Sequence, residues 1–236
     1  MNQQSTDVQS YQLEQNYTTL KPIINNILFD LVKSPRYQVI NKINRKMSSI
    51  FWDQYNNEVK LSKISTKGVY HIMIDDTDFY TGHAGVNICT RVNRMIKQAL
   101  GENTEDENHT AGQWLYDNFT QYGRKDIWID SIYVKYLSLS QIKKYFTNIS
   151  VQQYTLFGNE YYPIQEFDDK VILQFVEKCA IQIFESPLNK EHQKFGNRYI
   201  NNWSVLQMLQ KKVSENPVNI MTDYDRMMKG NKIIND

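Results

Sequence analysis

KGVYHIMIDDTDFYTGHAG, residues 67–85, is the stretch from which the fold is read. Val69 to Ile74 is almost continuously apolar apart from His71, the pattern of a central or well-covered strand. Asp75-Asp76-Thr77-Asp78 predicts a turn, because short carboxylates bond their own backbone there. The residues after it supply no calcium-loop pattern. Phe79-Tyr80-Thr81 then predicts an antiparallel return strand. This hairpin sets two tyrosine-glycine triplets, GVY (68–70) and YTG (80–82), on adjacent strands.

Downstream, apolar residues at 88, 92, 95, 96, 99 and 100 predict a helix over 87–100, with Arg91, Arg94 and Lys97 on its polar side. A shorter helix is expected over 110–122, burying Ala111, Trp114, Leu115 and Phe119. Ile127 to Leu137 reads as a third strand, 138–148 as a short helix and 151–166 as an irregular or hairpin insertion. The strongest helical pattern covers 169–185, with apolar positions 172, 175, 176, 179, 180, 183 and 184, and Ser186-Pro187 stops it. Glu177 falls at the edge of that stripe, a place suited to a carboxylate at the rim of a cleft. Three antiparallel strands covered by helices define a small α+β domain over residues 66–190.

Upstream, residues 20, 23, 24, 27, 28 and 31 predict a helix that Ser34-Pro35 ends. A second amphipathic helix is expected to follow, with Val39, Ile40, Ile43, Met47, Ile50 and Phe51 inward and Lys42, Arg45 and Lys46 outward. These form a basic helical arm over 19–62. Residues 1–18, rich in Gln, Ser and Asn, are expected to be disordered. A C-terminal extension, 191–236, includes a predicted helix from Ser204 to Val213.

The chain has 236 residues, 41% apolar and 13% aromatic, an ordinary balance for a globular protein with one sizeable domain and extensions. Its net charge is +1, unevenly spread. Residues 21–70 carry nine Lys/Arg against three Asp/Glu, or +6; residues 71–185 carry ten against sixteen, or −6; residues 186–236 carry eight against five, or +3. Basic flanks around an acidic middle suit an enzyme that grips a polyanion while its centre binds a metal ion, and scattered solvated charge accounts for the same distribution equally well. No stretch approaches the roughly 20 apolar residues of a membrane span, and the polar start lacks signal-peptide features. An intracellular protein without membrane partners is expected, with Cys89 and Cys179 as buried reduced thiols. No P-loop, HExxH motif or Cys/His metal spacing is present.

GVY (68–70), YTG (80–82) and Arg91 on the following helix resemble the GIY-YIG endonuclease superfamily. The string VEKCAIQIFESPLN (176–189) resembles that family's last helix, where a glutamate binds the metal and a Pro-x-Asn signature follows, here Pro187-Leu188-Asn189. Phe195-Gly196-Asn197 is similar to the restriction-enzyme branch. The resemblance covers roughly residues 66–190.

It implies a three-stranded antiparallel sheet flanked by helices and a metal-dependent DNA endonuclease of restriction or phage type. Tyr70 and Tyr80 would serve the attacking water and the scissile phosphate. Arg91 would stabilise the pentacovalent phosphorus. Glu177 would be the sole protein ligand of Mg²⁺, or of Mn²⁺ as a substitute. Asn189 would support the site, Gly82 would admit backbone close to the phosphate, and His83 would act as phosphate ligand or proton relay. Lys42, Arg45, Lys46, Arg94 and Lys97 would track double-stranded DNA, and cutting both strands points to a homo-oligomer. The chain departs from the family pattern in a shorter spacer between the triplets, in Thr81, in His83 in place of lysine and in Met95 in place of histidine. These departures motivate the alternative of a catalytically inactive nucleic-acid-binding or complex-forming subunit.

Overall fold

A computed structural model describes residues 5–41, 50–54, 57–60, 66–102, 109–155, 158–184, 186, 188 and 189. It is an α+β fold built on a central antiparallel sheet. Helices α1 (Thr6–Gln15) and α2 (Tyr17–Lys33) lead into strands β1 (Tyr37–Asn41), β2 (Ile50–Gln54) and β3 (Asn57–Lys60). The hairpin β4 (Gly68–Ile74) and β5 (Thr77–Ala84) precedes α3 (Ile88–Ala99) and α4 (Thr110–Asn118). Strand β6 (Ile132–Ser138), helix α5 (Leu139–Tyr145), the hairpin β7 (Ser150–Thr155) and β8 (Gly158–Pro163), and α6 (Asp169–Phe184) complete it.

The sheet has six strands, in the order β3-β2-β1-β6-β4-β5, where three were expected. The added strands come from the segment read as the basic helical arm, β1 and β2 from its second helix. Residues 37–41 and 50–54 are extended, and β1 pairs with β6 at Tyr37↔Val134 and Gln38↔Tyr133. Ser34-Pro35 releases the chain into extended backbone. The β6 edge then supplies hydrogen-bond partners that no local pattern announces. The arm and the 66–190 domain therefore share one sheet. Lys42, Arg45 and Lys46, and the whole of 191–236, lie outside the described residues.

The N-terminal segment is a second correction, since residues 6–15 are helical. Its anchors are mostly polar: Gln9, Gln12 and Leu13 are the buried residues of α1. Gln9 accepts a hydrogen bond from the Asp168 N–H at 2.9 Å, just ahead of α6, and Glu14 pairs with Lys178 of α6 at 2.7 Å. Glutamines that pack and bond are invisible to a hydropathy pattern. A third correction is smaller. Strand β6 begins at Ile132, because 125–131 forms two short 3₁₀ turns that bury Trp128 completely.

Two cores flank the sheet. Tyr70, Ile72, Ile74 and Val134 face Val92, Met95, Ile96, Ala111 and Leu115 of α3 and α4. Val69 and Leu137 face the opposite layer, with Leu28 and Leu31 of α2, Ile142 of α5, and Ile172 and Val176 of α6. This alternation is the two-residue period of a strand buried on both sides. Cys89 and Cys179 lie one in each core and form no disulfide; burial pushes both thiols up to about 12. Among the described residues no helix is long and apolar enough to cross a membrane.

Candidate active site

The β4–β5 hairpin pairs Tyr70 with Gly82, His71 with Thr81 and Val69 with His83. Its register shifts between Ile72 and Met73, so Phe79 becomes the extra residue on β5 and the alternation restarts at Tyr80. Tyr80 consequently stands on the same face as Tyr70, with ring centroids 6.2 Å apart. Gly82 lies directly against both rings. A Cβ built there would sit 2.6 Å from the Tyr70 hydroxyl and 2.8 Å from Tyr80 Cε1. Glycine is required here to seat the tyrosine pair.

Strand β5 is an edge strand, and a pocket of about 650 Å³ opens beside it. Tyr80 and His83 come from β5, Arg91 and Arg94 from α3, Glu177 from α6 and Asn189 from the segment beyond it; all line this pocket. Asn87 caps α3, accepting from the Cys89 N–H at 2.8 Å, so the helix begins at the pocket with Arg91 in its first turn. Tyr70 does not line the pocket. It is fully buried behind Tyr80, and Lys97 is likewise absent from the pocket wall.

Glu177 is 7% exposed, and its Oε2 lies 2.7 Å from His83 Nδ1. Among the described residues no group of three or more His, Cys, Asp or Glu side chains converges on one point. Glu177 and His83 are the adjoining carboxylate and imidazole on this wall, so a divalent ion bound here would take its remaining ligands from water or substrate oxygens. Asn189 works on the backbone. Its Oδ1 accepts from the Thr81 N–H at 2.9 Å and its Nδ2 donates to the Thr81 carbonyl at 2.6 Å. The asparagine thus pairs with the open edge of β5 as a neighbouring strand would.

Thr81 completes that clamp from its side chain. Its hydroxyl bonds Ser186 Oγ at 2.7 Å and His71 Nδ1 at 2.9 Å, while His71 Nε2 lies 2.7 Å from Asp78 Oδ1. Thr81, His71 and Ser186 are all buried, so this chain of bonds ties the segment after α6 to the hairpin.

His109, immediately before α4, is a site residue that the sequence reading missed. It is 3% exposed, lines the pocket and stacks edge-on against Tyr80 with centroids 4.9 Å apart. Its Nε2 lies 3.4 Å from the Tyr70 hydroxyl, and its Nδ1 is buried without a partner among the described residues. Gln98 of α3 accepts the His109 N–H and donates to Gln113 at 2.8 Å, which fixes the start of α4. The only local signal was a lone histidine preceding a predicted helix.

Burial holds the Tyr70 phenol well above its usual 10, reinforced by the neighbouring Tyr80; Arg91, which hydrogen-bonds it, pulls the other way. Desolvation first, then the charges of Arg91 and Arg94, push His109 down to about 3. The folded protein thus holds His109 neutral where the unfolded chain, near 6.5, protonates it. Its contribution to stability is fully present above about pH 6.5 and is lost as pH falls towards 3. Urea unfolding of His109→Gln should show a pH slope between 6 and 4 shallower by up to about 1.4 kcal/mol per pH unit. An unchanged slope would contradict the burial of this imidazole.

No protein-family model, curated protein or solved structure matches the chain.

Proposed function

We propose that the chain is a GIY-YIG-type, metal-dependent endonuclease that hydrolyses phosphodiester bonds in double-stranded DNA. One observation carries the reading: Tyr80, His83, Arg91 and Glu177, drawn from β5, α3 and α6, converge on a single pocket at a sheet edge. Two arginines on its wall offer fixed positive charge and planar donor forks to a phosphate.

The chemistry follows from which groups reach the pocket. Tyr80 lines it, so its hydroxyl is the tyrosine that contacts the attacking water. Tyr70, buried and protonated, accepts a hydrogen bond from Arg91, and its hydroxyl lies 3.4 Å from His109 Nε2. It aims the guanidinium. Arg91 then meets the negative charge that grows on phosphorus-bound oxygen as the water oxygen attacks and the ester bond breaks. Glu177 is the residue that would hold a divalent ion, which supplies Lewis-acid stabilisation of the phosphate oxygens when bound.

Two departures from the family pattern find a place in this geometry. Thr81 exchanges an aliphatic contact for the buried bonds to His71 and Ser186. Met95 is fully buried in the core, and His109 brings an imidazole to the pocket from another element. Cutting both strands requires a second copy or rebinding, which supports a homo-oligomer.

The deciding assay incubates the full chain with supercoiled plasmid and Mg²⁺ or Mn²⁺, with EDTA and Glu177→Gln in parallel. Metal-dependent nicking or fragments that Glu177→Gln lacks are expected, discrete fragments marking sequence selectivity. Intact plasmid across both metals overturns the enzyme reading in favour of a non-catalytic binding subunit.

A further inference from the structure

Resting on the reading of Glu177 as a metal ligand, we propose that His83 is the second protein ligand of the same ion, making this an imidazole-carboxylate site suited to first-row transition ions rather than to Mg²⁺. His83 Nδ1 and Glu177 Oε2 lie 2.7 Å apart on the pocket wall. Two neighbouring donors about 2.1 Å from one octahedral ion are themselves roughly 3 Å apart. Both side chains would have to turn from each other towards a shared point, so that an entering ion replaces this hydrogen bond.

Both supports are rigid. His83 is held in the β4–β5 ladder opposite Val69, and Glu177 lies inside α6, whose neighbouring side chains are buried in the second core. The two side chains are 22% and 9% exposed and both residues line the pocket, so an ion entering from it reaches both atoms. Rigidity of this kind lowers the cost of assembling a site.

The donor chemistry sets the preference. A lone carboxylate offers Mg²⁺ as much as it offers Mn²⁺, but an imidazole nitrogen favours Mn²⁺, Co²⁺ and Zn²⁺, which follow the Irving–Williams order. His83 binds through Nδ1, so the ring carries its proton on Nε2 in the metal-bound form. Arg91 and Arg94 on the same wall leave the remaining positions of the ion to water and to an anionic oxygen.

The test is Mn²⁺ binding by the full chain without DNA, followed by continuous-wave EPR titration, with pulsed EPR to detect ¹⁴N coupled to the bound ion. The expected result is a ¹⁴N modulation that His83→Gln and Glu177→Gln both lack. Mn²⁺ affinity should fall about tenfold or more in His83→Gln, and Mg²⁺ should displace Mn²⁺ only at more than tenfold higher concentration. Glutamine retains a donor for Glu177, so full Mn²⁺ affinity in His83→Gln would show that His83 is only a hydrogen-bond partner and overturn the proposal. Mn²⁺ bound without ¹⁴N coupling, or no Mn²⁺ binding by the folded protein, overturns it equally. Plasmid cleavage by the same samples separates the two readings: cleavage without ¹⁴N coupling leaves the nuclease and removes His83 as ligand, while ¹⁴N coupling without cleavage does the reverse.

Discussion

On the proposed endonuclease reading, Arg91→Ala should lower single-turnover DNA cleavage by about a thousandfold or more, the scale on which a positioned transition-state cation matters in phosphoryl transfer. Arg91 is the pocket cation tied to Tyr70, so its removal takes away both the charge and the group that Tyr70 orients. Arg91→Lys should recover little, because an ammonium cannot reproduce two parallel N–H donors. The folded state should survive. Arg91 lies on the partly exposed face of α3, whose core contacts are made by Val92, Met95 and Ile96. Thermal unfolding followed by circular dichroism separates the two effects. A cleavage loss below about tenfold with an unchanged Tm would remove Arg91 from the chemistry.

Gly68→Ala should produce the largest loss of stability from a single methyl group. Strand β4 is interior to the sheet, paired with β5 on one side and β6 on the other. A Cβ at Gly68 would lie 2.1 Å from the Leu137 carbonyl oxygen and 2.9 Å from Ile88 Cδ1. The first of these neighbours is backbone inside a ladder, so it can yield only by breaking the Gly68↔Ser138 register. Overpacking of this kind costs about 3 kcal/mol or more, a Tm drop of roughly 6–12 °C for a chain of this size. Gly85→Ala is the matched control, since nothing lies within 4 Å of its added Cβ. Equal melting of the two variants would contradict the β4–β6 pairing.

The candidate site was legible to the extent that it rests on local geometry. The hairpin 68–84 and the helix at 169–184 each carry a strong period, and Tyr80, His83 and Glu177 take their positions from those periods. Arg91 was singled out by the resemblance to the GIY-YIG pattern, and it lies in the first turn of α3. What local patterns could not rank was accessibility. Tyr70 and Tyr80 look equivalent as motif residues, yet the register shift and the packing of α4 bury Tyr70 and turn Tyr80 to the pocket. His109 escaped notice for the same reason, since its partners Tyr70, Tyr80 and Gln98 are distant in sequence.

By itself the sequence determined the α+β class, the central hairpin and helices α2, α3 and α6, because each depends on spacing within a few turns or strand residues. The tertiary structure alone decided the six-stranded sheet, the seat of α1 and the joining of His83 to Glu177. Strand β1 finds its partner in β6 nearly a hundred residues away, and α1 is tied to the α6 region by a hydrogen bond to Gln9 and by the Glu14–Lys178 ion pair. Hydrogen-bond partners supplied by distant backbone leave no periodicity in the segment that needs them. They become visible only when the chain is closed.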